Sequence, residues 1–122
     1  MKALVLVAHG SRREASNDEV TELAKTLAAQ DSDFDNVFPG FLELAEPSIP
    51  DSIRQAAASG ATEIVVLPYF LSAGRHVVTD IPREIDSVRG ELDGIVIRLA
   101  EYLGKAQAIP SVLMSIAECT KE

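Results

Sequence analysis

Residues 3–8, ALVLVA, form an uninterrupted apolar run directly behind the N-terminal Met-Lys. A strand without polar alternation must be covered on both faces, as the strands of parallel sheets are. The run is far shorter than the roughly 18 apolar residues of a membrane span. The positive Lys2 and the apolar run have the outline of a leader peptide, but His9-Gly10-Ser11-Arg12-Arg13 follows at once, and a buried strand accounts for the segment better.

The rest of the chain repeats this strand-then-helix alternation. Val20, Leu23, Ala24, Leu27 and Ala28 fall on one helical stripe, and Ser16 with Glu19 has the form of a capping box. Residues 37–44 read as a second strand, in which Pro39 and Gly40 demand an edge position or a late start. Ser48, Pro50 and Gly60 mark the cap, first turn and stop of a second helix. EIVVL at 63–67 is a third strand, Asp80 and Pro82 open a third helix to about Arg89, GIVIRL at 94–99 is a fourth strand, and a last helix covers about 110–119. This order predicts one α/β domain over 1–122: a doubly wound, mainly parallel four-stranded sheet with helices on both faces. The strand order is not contained in the pattern.

Charge and cysteine content narrow the partners. The net charge is −8, and between Glu14 and Glu46 nine acids face one base, Lys25. Such a field argues against a nucleic-acid backbone as ligand, and most of these acids read as a solvated face. The single Cys119 forbids an internal disulfide and suits a reducing, cytoplasmic location; on the last helix it reads as a small structural residue.

Ligands of open parallel sheets bind beyond the carboxyl ends of the strands. Both histidines of the chain fall in such segments, His9 after the first strand and His76 in the loop after the third. Each has a structural reading, as a hydrogen-bonded imidazole, and a functional one, as a ligand of a first-row divalent ion or a proton acceptor near neutral pH. HExxH, paired CxxC and a third histidine are all missing, which leaves an open, exchangeable metal site. Glu43 and Glu46 follow the second strand and are the carboxylates at hand, with solvated surface acid as the alternative for each. The loop Tyr69-Phe70-Leu71-Ser72-Ala73-Gly74-Arg75-His76 sets apolar side chains beside a glycine that lets backbone approach a flat ligand; Phe70 and Leu71 have a second reading as core. Arg12, Arg13 and Arg75 provide a cationic rim for carboxylates, or else pair with neighbouring acids.

Three segments, AHGSR at 8–12, FLELAEPSI at 41–49 and LPYFLSAGRHVVTDIP at 67–82, together resemble the small, single-domain sirohydrochlorin cobaltochelatases, in order and from Met1 to about Arg83. The resemblance implies insertion of cobalt, or of iron or nickel, into a sirohydrochlorin-type tetrapyrrole, with no cofactor beyond the substrate metal. It implies that His9 binds metal and accepts a proton, that His76 is a second metal ligand and that Glu43 is a further metal or proton partner. Glu46 and the loop from Leu71 through Ser72, Ala73, Gly74 and Arg75 to His76 are implied to contact the tetrapyrrole. Small members are similar to one half of the two-lobed chelatases and pair as homodimers. Where that family often carries a Pro-Pro-Leu-Gly-like turn after the fourth strand, this chain has Glu101-Tyr102-Leu103-Gly104. Two rival readings remain, a non-catalytic metal or tetrapyrrole carrier and a phosphotransferase using a phosphohistidine at His9. The second lacks the arginine that usually precedes such a histidine, since Ala8 stands there.

Overall fold

A computed structural model describes residues 1–121, except for the side chain of His76. Eight main elements alternate along it: β1 (Lys2–Ala8), α1 (Glu14–Ala28), β2 (Asn36–Phe41), α2 (Ile49–Ala58), β3 (Glu63–Pro68), α3 (Ile81–Arg89), β4 (Val96–Leu99) and α4 (Ile109–Cys119). A π-helical turn, His76–Asp80, leads into α3, and a 3₁₀ turn, Leu103–Lys105, precedes α4.

The four strands form one sheet in the order β2-β1-β3-β4, and every pairing is parallel. β1 is flanked on both edges, which explains why its sequence is apolar throughout: residues 3–8 are all buried. Alternate β1 residues feed two separate cores. Ala3, Val5 and Val7 pack with Ile49, Ile53 and Ala56 of α2 and with Ile81, Ile85 and Val88 of α3. Leu6 and Ala8 pack with Val20 and Ala24 of α1 and with Phe41. Helices therefore cover both faces, α1 on one and α2 with α3 on the other.

Pro39 is tolerated because β2 is an edge strand, paired with β1 alone. Its carbonyl accepts a 2.8 Å hydrogen bond from the hydroxyl of fully buried Ser52 on α2. Gly40 makes room for that approach, since a Cβ there would lie 3.1 Å from the Ser52 Cβ. The Ser48 hydroxyl accepts from the Asp51 N–H and caps α2.

Several boundaries differ from the sequence pattern. β2 stops at Phe41 instead of 44, because the chain then bends through Leu44, whose φ is +65°. α1 starts at Glu14, so Ser16 lies inside the helix and no side chain caps its first turn. Ala28 is exposed although it sits on the apolar stripe. β4 begins at Val96, after Gly94 with φ +78°. α4 departs most: none of its residues is buried. No helix among the described residues is long and apolar enough to cross a membrane.

Arg54 on α2 ties the segment after α3 to the domain through a two-pronged grip on Glu91, with both N···O distances 2.9 Å. Those hydrogen bonds hold the Glu91 carboxyl below its ordinary range. A carboxyl lowered by folding contributes stability above its unfolded pKa and loses it as pH falls through the folded value. Both groups are exposed, so the contribution is small. Urea unfolding of Glu91→Gln should show a modest deficit at neutral pH that disappears when the titration is repeated below the normal carboxylate range.

Candidate functional site

The chain leaves β1 toward α1 on one face of the sheet and leaves β3 toward α3 on the other. The carboxyl ends of these two adjacent strands are therefore the topological switch of the sheet, the place where doubly wound sheets hold ligands. His9 stands there because it is the first residue after β1. Its Nε2 lies 2.7 Å from Oε1 of Glu43, which arrives from the segment after β2. The two side chains are 45% and 55% exposed, so the pair faces solvent, where an incoming ion or ligand can reach it.

Backbone bonds clamp this juxtaposition. The Leu42 and Glu43 N–H groups donate to the carbonyls of Ala8 and His9, both at 3.0 Å, extending the β1–β2 ladder past the strand ends. Gly10, with φ +94°, makes the approach sterically feasible: a Cβ at that position would lie 1.8 Å from the Glu43 carbonyl oxygen. Asn17 on α1 then fixes the following turn. Its Oδ1 accepts from Ser11 N–H at 2.9 Å while its Nδ2 donates to the Ser11 carbonyl at 2.7 Å.

The loop after β3 completes the rim. Tyr69 N–H donates to the Val7 carbonyl at 2.7 Å, and the Phe70 ring stacks on the His9 ring with centroids 6.5 Å apart and planes inclined by 26°. Phe70 is partly buried against the α2–α3 core, so it serves both as core and as a wall for His9. Leu71, in contrast, is 74% exposed, and Ser72, Ala73, Gly74 and Arg75 are exposed as well. The segment after β4 buttresses this loop: Gly104 N–H donates to the Phe70 carbonyl at 2.9 Å, and a Cβ on Gly104 would lie 1.9 Å from the Leu71 carbonyl oxygen.

His76 opens the π-helical turn behind this loop. Its proposed role as metal ligand and ligand contact concerns a side chain outside the described residues. Glu46 is exposed and lines an open groove with Asp51, Arg54 and Gln55 along α2. Arg12 and Arg13 are exposed on the turn after His9. Among the described residues no three His, Cys, Asp or Glu side chains converge on one point. Sequence reasoning missed Asn17 and Gly104 because both act through backbone contacts, which no periodicity or motif announces.

The geometry defines a doubly wound α/β domain with an exposed histidine–carboxylate pair at its topological switch. The CbiX family model matches residues 3–118, and the chain belongs to the CbiX family. It is 32% identical over 118 residues to a sirohydrochlorin cobaltochelatase of Sulfurisphaera tokodaii, covering 97% of this chain and 92% of that protein. It is 39% identical over 94 residues to the sirohydrochlorin cobaltochelatase of Methanococcus maripaludis, covering 77% of this chain but 65% of that one. The structure of the sirohydrochlorin chelatase SirB from Bacillus subtilis subspecies spizizenii, in complex with cobalt, superposes with a TM-score of 0.83 at 28% identity; 97% of this chain matches 50% of SirB. The chain thus spans only part of the length of these last two relatives.

Two glycines separate backbone demand from open space. Gly10→Ala forces both a left-handed conformation and a collision with Glu43, and should lower stability in urea by about 1–3 kcal/mol. Gly74→Ala meets nothing within 4 Å, and its stability should stay within about 0.5 kcal/mol of the parent.

Proposed function

We propose that this chain is a metal chelatase that inserts a divalent ion, cobalt or alternatively iron or nickel, into a sirohydrochlorin-type tetrapyrrole. The observation that carries the reading is the Nε2–Oε1 contact of 2.7 Å between His9 and Glu43, exposed at the switch point and walled by Phe70. Family membership supports it, as do the chelatase activities for which the relatives are named.

The chemistry follows from the donor set. A carboxylate can only accept, so in this reading the 2.7 Å contact places a His9 hydrogen on Nε2 toward Glu43. The imidazole is the member of the pair that can ligate an ion or take a proton. Insertion requires two pyrrole N–H protons to leave as metal–nitrogen bonds form. In this reading His9 accepts the two protons one after the other and Glu43 passes each to water, to which both side chains are open. His76 supplies the second imidazole for the arriving ion, and Glu43 is a further metal or proton partner. Such a two- or three-donor site holds its metal weakly enough to release it.

The tetrapyrrole is bound by the exposed loop from Leu71 to His76, by Glu46 and by Arg12. Leu71 offers an apolar contact to the macrocycle, Ser72, Ala73 and Gly74 offer close backbone approach, and Arg12 and Arg75 offer charge for its carboxylates. The protein acts in the cytoplasm as a homodimer and needs no cofactor beyond its substrate metal. Phosphoryl transfer through His9 Nε2 is disfavoured, since the anionic phosphoryl oxygens would meet the Glu43 carboxylate.

The test mixes purified protein anaerobically with sirohydrochlorin and Co²⁺, Fe²⁺ or Ni²⁺ and follows the absorption change of the macrocycle. His9→Ala and His76→Ala should each lose at least about 100-fold of the accelerated insertion, the scale of a lost acid–base group, while keeping the parent circular dichroism. Wild-type rates in both variants would refute the site, and a parent protein that binds both reactants without turnover would mark it as a carrier.

A further inference from the structure

A hollow outside the site described above lies where the fourth strand ends. β4 stops at Leu99, and the Ala100 N–H donates to the Val66 carbonyl at 2.8 Å, carrying the β3–β4 ladder one residue further. The chain then turns through 101–105 and leaves a hollow of about 220 Å³, lined by Val77, Leu99, Ala100, Glu101, Tyr102 and Lys105. It adjoins the loop after β3 at both of that loop's ends: Gly104 N–H donates to the Phe70 carbonyl at 2.9 Å, and Val77 directly follows His76. A ligand resting on the loop from Leu71 to His76 is therefore next to this hollow.

Size and charge define what the hollow can take. Sites that enclose a whole small ligand run to about 300–1,000 Å³, so this one holds an arm of a macrocycle and not its ring. Val77, Leu99 and Ala100 give apolar wall for methylene groups, and Lys105, with its side chain 61% exposed, supplies an ammonium that solvent can reach. A carboxylate on a short aliphatic arm matches both. The ammonium already stands beside a carboxylate, but loosely. Lys105 Nζ lies 3.7 Å from Oε2 of Glu101, beyond hydrogen-bond length, and both side chains are exposed. Arg54, by contrast, grips Glu91 through two contacts of 2.9 Å. A pair so long and so wet contributes little, and a carboxylate that comes within hydrogen-bond distance of the ammonium displaces it.

We infer that Lys105 binds a carboxylate arm of the tetrapyrrole in this hollow, exchanging the Glu101 carboxylate for the substrate's. The assignment rests on the chelatase reading above and adds a specificity-determining residue to it. With Arg12 after β1 and Arg75 after β3, Lys105 after β4 extends the cationic rim over three neighbouring strands of the sheet. The chain's net charge of −8 makes such local cations necessary, because its wider field repels a polycarboxylate. Glu101 adds selectivity. A macrocycle with an apolar group at that position cannot replace the Glu101 carboxylate and gains nothing from the ammonium.

Titration of the whole chain with metal-free sirohydrochlorin, followed by the macrocycle's absorption at fixed ionic strength, tests this without turnover. Lys105→Gln should bind about tenfold more weakly, the scale of one lost charge-assisted contact, and Lys105→Arg should keep most of the affinity. Lys25→Gln removes the same charge near the end of α1 remote from His9 and should leave the affinity unchanged. Glu101→Gln should tighten binding, and that gain should vanish in the Lys105→Gln background, because the two carboxylates compete only through the ammonium. All three positions are exposed, so each variant should keep the parent circular dichroism. In the insertion assay Lys105→Gln should raise KM and keep kcat, since Lys105 holds an arm and not the reacting atoms. Parent affinity in Lys105→Gln, or an equal loss in Lys25→Gln, would overturn the contact while leaving the chelatase reading in place. A Glu101→Gln gain that persists without Lys105 would overturn the exchange. A parent that binds sirohydrochlorin but never inserts metal would refute the chelatase reading, with weaker binding by Lys105→Gln still supporting the contact. A parent that does not bind it would overturn both.

Discussion

Everything in this domain is arranged around one strand that is paired on both edges and buried on both faces. β1 has β2 on one side and β3 on the other, and its alternate side chains serve two cores that share no residue. The residue that follows such a strand has little freedom. His9 emerges at the centre of the sheet's carboxyl edge, between the segments that follow β2 and β3, and those segments deliver Glu43 to its Nε2 and Phe70 to its ring. The chemistry of the site is thus a consequence of strand order, and a histidine at the end of an edge strand would have met one of these partners and not both.

The sheet was legible because its strands are apolar in different ways for physical reasons. The continuous run in β1 announced two-sided burial, and Pro39 left β2 either an edge position or a late start, of which the pairing shows the edge. The stripe on α1 located the helix but not its start, because no side chain caps it and the ordering contacts come instead from Asn17 reaching back to Ser11. The order β2-β1-β3-β4 could not be read, since it depends on which core each crossover helix completes. Only after that order is known does the separation of the two histidines along the chain become nearness of the loops that hold them.

The site itself divides along the same line. His9 and Glu43 were identifiable as residue types behind strands, and three motifs in sequence pointed to the family to which the chain belongs. What their spacing did not contain was the glycine requirement at Gly10 and the brace at Gly104, where a single Cβ would strike a carbonyl oxygen of another segment. These are backbone-to-backbone constraints, and a side-chain pattern carries no trace of them. α4 shows a different limit: the sequence pattern located a helix at about 110–119, and none of its residues is buried.

The account depends most on the proton that His9 holds toward Glu43. ¹⁵N-labelled histidine allows that proton to be located directly by long-range ¹H–¹⁵N correlation, with the two ring systems assigned through a His76 variant. The His9 ring should carry a hydrogen on Nε2, its ring-nitrogen resonances should move on addition of Co²⁺ or its diamagnetic substitute Zn²⁺, and Glu43→Gln should disturb both. A His9 ring protonated on Nδ1, with resonances indifferent to Glu43→Gln and to metal, would contradict the central claim.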